Sequence, residues 1–153
     1  MSNPTRIDPT PSEAIQMAWA RLLRAHQVAL GLVETRLKDA GLPALEWYDV
    51  LLELERQGPL RPRQLQAELL LPQYNLSRLL ERMVDAGLLE RRPCPDDARG
   101  HLVAPTRRGR GVRRRMWPVY AAAIGEAVGE RVSEREAAQL AELLGRIAGP
   151  RRT

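Results

Sequence analysis

The sequence predicts a mostly α-helical chain: six helices, with one small β-hairpin between the fourth and the fifth. Three observations lead there. Apolar residues recur at helical spacing over long stretches near both ends of the chain. Two capping boxes, Thr10-Pro11-Ser12-Glu13 and Ser133-Glu134-Arg135-Glu136, mark helix starts. Between them, residues 88–104 form two short β-like runs separated by the turn cluster Asp96-Asp97-Ala98-Arg99-Gly100.

The first helix should open at the Thr10 box, with Pro11 in its first turn, and run to about Ala40. Its apolar positions include Ile15, Trp19, Leu22, Leu23, Leu30, Val33 and Leu37. That stripe is too long for a small domain to bury alone, so part of it is expected to meet a second subunit. Gly41 and Pro43 end the helix. A second helix follows, with Leu45, Tyr48, Val50, Leu51, Leu52 and Leu54 turned inward. After Gln57-Gly58-Pro59, Arg61-Pro62-Arg63 opens a short third helix ending near Leu70, and Pro72 opens a fourth that ends at Gly87, a suitable C′ glycine. Leu88 to Pro95 reads as a strand whose far end is an edge or loop because of Pro93 and Pro95, and His101 to Ala104 returns. Thr106 can cap a fifth helix running to about Gly129. The Ser133 box opens the last, with Leu140, Leu143, Leu144 and Ile147 on one face.

The third and fourth helices with the hairpin make a winged helix-turn-helix. The expected organisation is a reading region over residues 44–105 and a helical region over 10–40 and 106–149, together one compact domain per chain.

Composition narrows the function. No run of about 18 apolar residues exists to span a membrane, and the opening MSNPTRIDPTPSEA lacks the apolar core of a signal peptide. A cytoplasmic protein is expected. The single cysteine, Cys94, allows no intrachain disulfide, and Cys94, His26 and His101 are too scattered for a zinc site. No nucleophile–base pair, glycine-rich phosphate loop or metal spacing marks an enzyme, and no cofactor is expected. The net charge is +5, but its placement is more informative. Residues 56–115 hold 14 arginines against six acidic residues, whereas the rest of the chain holds 10 basic and 13 acidic residues. All but one of the basic residues are arginines, Lys38 being the exception, which fits the codon bias of a GC-rich genome. Codon bias does not explain the clustering; a polyanionic partner does.

Candidate contacts follow from the fourth helix. Leu76, Leu79, Leu80 and Met83 share one side and face Leu65 and Leu69 of the third helix. Tyr74 and Arg78 lie opposite, Asn75 and Ser77 on the flanks, and Gln73 in the first turn. Arginine can bond bidentately to guanine, and Asn or Gln to adenine, each pair worth about 1–3 kcal/mol of discrimination. Tyr and Ser suit phosphate oxygens. Arg63, Arg82 and Arg107 complete the candidate DNA-binding set. Arg107, Arg108, Arg110, Arg113, Arg114 and Arg115 crowd the start of the fifth helix, where cations oppose the helix dipole, so phosphate contact by some of them is expected. At the hairpin tip, Asp97-x-Arg99 offers an arginine to the minor groove, with Asp97 expected to hold its guanidinium.

With these stretches in place, the sequence resembles the MarR family of bacterial transcription regulators over about residues 19–147. Leu45-Glu46-Trp47-Tyr48-Asp49-Val50-Leu51, Asn75 to Met83, Ala86-Gly87-Leu88-Leu89-Glu90-Arg91, Asp97-Ala98-Arg99-Gly100 and Thr106-Arg107-Arg108-Gly109 carry the resemblance in order. It implies an obligate homodimer built by the first, fifth and sixth helices and a pseudo-palindromic duplex operator. It also implies repression relieved by a small molecule or by cysteine oxidation. By position, Gln73, Tyr74, Ser77 and Arg78 would meet the major groove and Arg99 the minor groove. Two-fold symmetry sets half-sites about 10 bp apart, or a multiple of that. The chain departs from the family at Gln66 (usually Ala), Leu70 (usually Gly), Pro72 (usually a capping Ser) and Pro105 (usually Leu), and its first helix has no cysteine.

The resemblance also implies a small aromatic or phenolic effector, with Trp19, His26, Trp47 and Tyr48 as candidate pocket residues. Two alternative functions are a winged-helix protein-interaction module without DNA binding and a redox-responsive regulator using Cys94, its thiol activated by Arg91 and Arg92. The basic concentration and the tip arginine argue against the former.

Overall fold

A computed structural model describes residues 10–149. Six α-helices and a two-stranded hairpin appear in the order α1 (Glu13–Asp39), α2 (Leu45–Gln57), α3 (Pro62–Glu68), α4 (Leu76–Asp85), β1 (Leu89–Cys94), β2 (Asp97–Pro105), α5 (Arg107–Ile124) and α6 (Glu134–Ala148). A π-helical turn, Gly125–Gly129, extends α5.

Helix starts follow side-chain chemistry, not always at the residue the sequence suggests. Ser12, not Thr10, caps α1: its Oγ accepts the Ile15 N–H at 3.4 Å, and Pro11 stays outside the helix. The box at Ser133 forms in both directions, with Oγ accepting from Glu136 N–H and the Glu136 carboxylate accepting from Ser133 N–H. The larger correction is α4, which begins four residues later than Pro72. Asn75 supplies the cap, its Oδ1 accepting the Arg78 N–H at 3.2 Å. Pro72, Gln73 and Tyr74 therefore belong to the connection.

That connection explains two departures from the family pattern. Gln66 Nε2 donates to the Gln73 carbonyl at 3.2 Å, so the longer side chain spans the turn. Leu70 can replace glycine because the turn needs no left-handed residue. Among the described residues, positive φ occurs only at Gly41, Gly58, Gly87 and Gly149. From the other side, the buried Asp49 accepts the Leu71 N–H at 2.8 Å.

Two apolar cores share α2. One joins Val50, Leu51 and Leu54 to Leu65, Leu76, Leu79, Leu80 and Met83, with Leu89 and Val103 of the hairpin. The other joins Leu45 and Tyr48 to Val33 and Leu37 of α1 and to Val112 and Met116 of α5. Trp47 packs against both. The helix-turn-helix is thus tied to the helical scaffold chiefly through α2, with Leu71, Ala86 and Leu88 also reaching the second core. Arg36 and Glu126 add a bidentate pair between α1 and the π-helical turn, at 2.7 and 3.0 Å.

The antiparallel strands pair from Leu89↔Pro105 to Pro93↔His101, then Cys94↔Asp97. Ala98, Arg99 and Gly100 fall between the last two pairs and bulge out unpartnered, so β2 is longer than the sequence suggests and carries most of the expected turn cluster. Leu60 and Val103 exchange two backbone hydrogen bonds, which lays the segment before α3 along the wing. At the hairpin's base, Thr106 Oγ1 donates to Gly87 O at 2.6 Å and accepts from Gly109 N–H at 3.0 Å.

The outer faces of the terminal helices carry apolar side chains that no other described residue covers. Ile15, Trp19 and Leu23 of α1 and Leu140, Leu143 and Ile147 of α6 are all exposed.

Candidate nucleic-acid interface

Helix α4 buries Leu76, Leu79, Leu80 and Met83 and exposes Ser77, Arg78, Glu81 and Arg82. Gln73, Tyr74 and Asn75 of the preceding turn join Arg78 and Arg82 around one concave surface of about 720 Å³. Tyr74 is fully exposed. Asn75 lies on this surface; its oxygen accepts the cap bond with one lone pair, which leaves the amide NH2 as its main group for an outside partner. Arg82 is held by Glu46 of α2 at 3.2 Å.

Ion pairing divides the arginines. Arg63, Arg78, Arg99 and Arg107 are exposed and form no ion pair among the described residues. Their charges are free for an external anion. The arginine crowd on α5 splits in the same way. Arg110 Nη1 donates to Pro105 O at 2.7 Å. Arg113 meets Glu55 of α2 at 2.8 Å and lies over the Tyr48 ring. The Glu55 carboxylate raises the Arg113 pKa further above its usual range. Arg113 is therefore part of the scaffold, and the expectation of phosphate contact narrows to exposed members such as Arg107.

On the wing, Asp97 does not clasp the Arg99 guanidinium. Its Oδ1 accepts the Arg99 backbone N–H at 2.9 Å, and its Oδ2 lies 3.7 Å from Arg61 Nη1. The Arg99 side chain is exposed at the bulge. Cys94 is buried beneath the tip, and its Sγ accepts from Arg61 Nη2 at 3.0 Å. The neighbour supplying positive charge is Arg61, not the expected Arg91 or Arg92; Arg92 pairs with Glu90 at 2.6 Å.

A separate apolar cavity of about 370 Å³ lies between α1, the α3–α4 connection and the end of α5. His26 lines it with Leu30, Val33, Leu71 and Tyr120. Tyr48 lines an adjoining recess with Asp49 and the same Tyr120. Trp19 lies on the exposed outer face of α1 and Trp47 packs between the cores, so neither lines the cavity. Sequence reading missed Tyr120 and Asp49. The one available signal was a carboxylate inside the apolar run of the second helix. Burial pushes the Asp49 carboxyl above the usual aspartate range, partly offset by the Leu71 and Leu70 N–H groups. Burial also raises the Tyr120 hydroxyl. No helix among the described residues is long and apolar enough to cross a membrane.

Residues 40–100 match a family model described as MarR family. No curated protein sequence matches. Among solved structures, Sco3205 of Streptomyces coelicolor, a MarR family transcriptional regulator in complex with DNA, superposes with a TM-score of 0.80 at 26% identity, over 94% of this chain and 91% of that one. A variant of Escherichia coli MarR complexed with operator DNA gives 0.76 at 24% identity, over 92% and 100%. BpsR of Bordetella bronchiseptica, whose DNA binding is regulated by 6-hydroxynicotinic acid, gives 0.80 at 23% identity, over 92% and 99%. At their identities the last two speak to the fold alone.

Proposed function

With a winged helix of the MarR family as premise, we propose that this chain is a sequence-specific, duplex-DNA-binding transcription regulator, a repressor released by a small molecule. The observation that carries the reading is the set of exposed, unpaired cations on the reading lobe: Arg63 and Arg78 around the helix-turn-helix, Arg99 at the wing tip and Arg107 at its base. Gln73, Tyr74, Ser77 and Arg78 face the major groove, and Arg99 enters the minor groove, where the negative potential is strongest over A·T-rich steps. Arg63 and Arg107 anchor phosphates, and Arg82 reaches one only by sharing itself with Glu46. The similarity to Sco3205 supports the reading.

The protein works as a cytoplasmic homodimer, not an enzyme. The apolar outer faces of α1 and α6 form the partner surface, with residues 10–40 and 106–149 as the dimerisation region and 44–105 as the reading region. The cavity beside His26, Tyr48 and Tyr120 receives the effector. It adjoins Leu70 and Leu71, so a ligand there acts on the turn that leads into α4.

The test is a salt titration of binding to labelled duplexes. Expected is an affinity that falls steeply and linearly on logarithmic axes as salt rises. Absence of binding, or binding indifferent to salt, rejects the proposal.

A further inference from the structure

Arg61 immediately precedes α3, and its guanidinium reaches the wing. Nη2 donates to the buried Cys94 Sγ at 3.0 Å, and Nη1 lies 3.7 Å from Asp97 Oδ2. Asp97 Oδ1 in turn accepts the Arg99 N–H at 2.9 Å. The near end of this chain of contacts is fixed. Arg61 N–H donates to Gln64 Oε1 at 3.0 Å, and the next residue, Leu65, is fully buried in the core that also holds α4. The far end is otherwise loose, because Ala98, Arg99 and Gly100 have no cross-strand partner. The strand ladder cannot set the direction of Arg99. The Asp97 side chain can, and Arg61 holds Asp97.

We infer that Arg61 is a positioning residue for the wing: through Asp97 it sets where Arg99 meets the duplex relative to α4. The inference rests on the DNA-binding function proposed above. Charge alone gives a different expectation. On that view Arg61 is one more phosphate cation, and Asp97, an anion near DNA, weakens binding, so its neutralisation strengthens it. Positioning reverses the sign for Asp97.

The test uses the full chain and two labelled duplexes of about 30 bp, one A·T-rich and one G·C-rich, because a minor-groove arginine favours the narrow A·T groove. Wild type is expected to prefer the A·T-rich duplex, and Arg99→Ala defines how much of that preference the arginine supplies. Arg61→Ala and Asp97→Asn are each expected to lose the same preference, although they change charge in opposite directions. Arg61→Ala combined with Arg99→Ala is expected to bind no more weakly than Arg99→Ala. The inference is overturned if Asp97→Asn tightens binding with the preference kept, or if Arg61→Ala weakens both duplexes equally and additively with Arg99→Ala. A second readout needs no DNA: amide hydrogen exchange at Arg99 should accelerate in Arg61→Ala, and unchanged exchange rejects the brace. Wild type that binds neither duplex overturns the DNA-binding reading and this inference with it, whereas a failed brace alone leaves wild-type binding intact.

Discussion

The carbonyl oxygen of Leu88 lies against the α-carbon of Gly109, so that a methyl group on that carbon would overlap the oxygen. The same carbonyl accepts the Thr106 N–H at 3.0 Å. The Thr-x-x-Gly start of α5 is therefore a steric device: threonine caps the helix, and glycine lets it approach the base of the wing. Gly109→Ala should force the two elements apart and cost about 1–3 kcal/mol, as overpacking in a filled core does. Denaturant unfolding checks this, and an unchanged midpoint would refute it.

The division of arginines into paired and free gives a second expectation. Arg78→Ala should weaken duplex binding by about 1–3 kcal/mol with little change in stability, because the residue is exposed and forms no ion pair among the described residues. Arg82→Ala should lose less, since Glu46 already claims that cation. Equal losses in binding titrations would show that the ion pair does not govern availability.

Arg113 should behave in the opposite way. Its side chain and that of Glu55 are each 19% exposed, and Glu55 Oε1 already lacks a partner among the described residues. Arg113→Ala strands the whole carboxylate, at a cost of about 1–3 kcal/mol. Stability should fall while the salt dependence of DNA binding keeps its slope; a smaller slope would place Arg113 at the phosphates.

Asp49 predicts a pH effect whose sign follows from its raised pKa. A carboxyl that holds its proton more tightly folded than unfolded loses stability as pH rises through the folded-state value, because the buried group must then carry charge. Wild type should therefore lose stability relative to Asp49→Asn as pH rises above the ordinary aspartate range of about 4. Parallel stability curves for the two proteins would contradict this.

The sequence made some features legible and hid others, for identifiable reasons. Long-range periodicity and side-chain caps revealed the six helices, the hairpin and the apolar face of α4, because 3.6-residue spacing survives any choice of neighbours. The start of α4 was misplaced because Pro72 and Asn75 are both good helix openers, and the bonds from Gln66 to Gln73 and from Leu71 to Asp49, both set by tertiary position, hold the connection out of a helix until Asn75. The wing tip appeared as a plain turn because a three-residue bulge leaves no mark in an Asp/Gly-rich segment. Arg61 and Arg113 could not be told from the other arginines, since their partners lie 33 and 58 residues away. Trp19, chosen for its aromatic ring, proved to lie on the outer face, where helical spacing alone does not say which stripe turns inward.

A hydroxyl-radical footprint on a duplex selected from a random pool tests the central claim most directly. Two symmetric protected patches, centred about one helical turn or a multiple apart and flanked by protection in the minor groove, are the predicted result. One unsymmetrical patch, with no second half-site at any protein concentration, would contradict it.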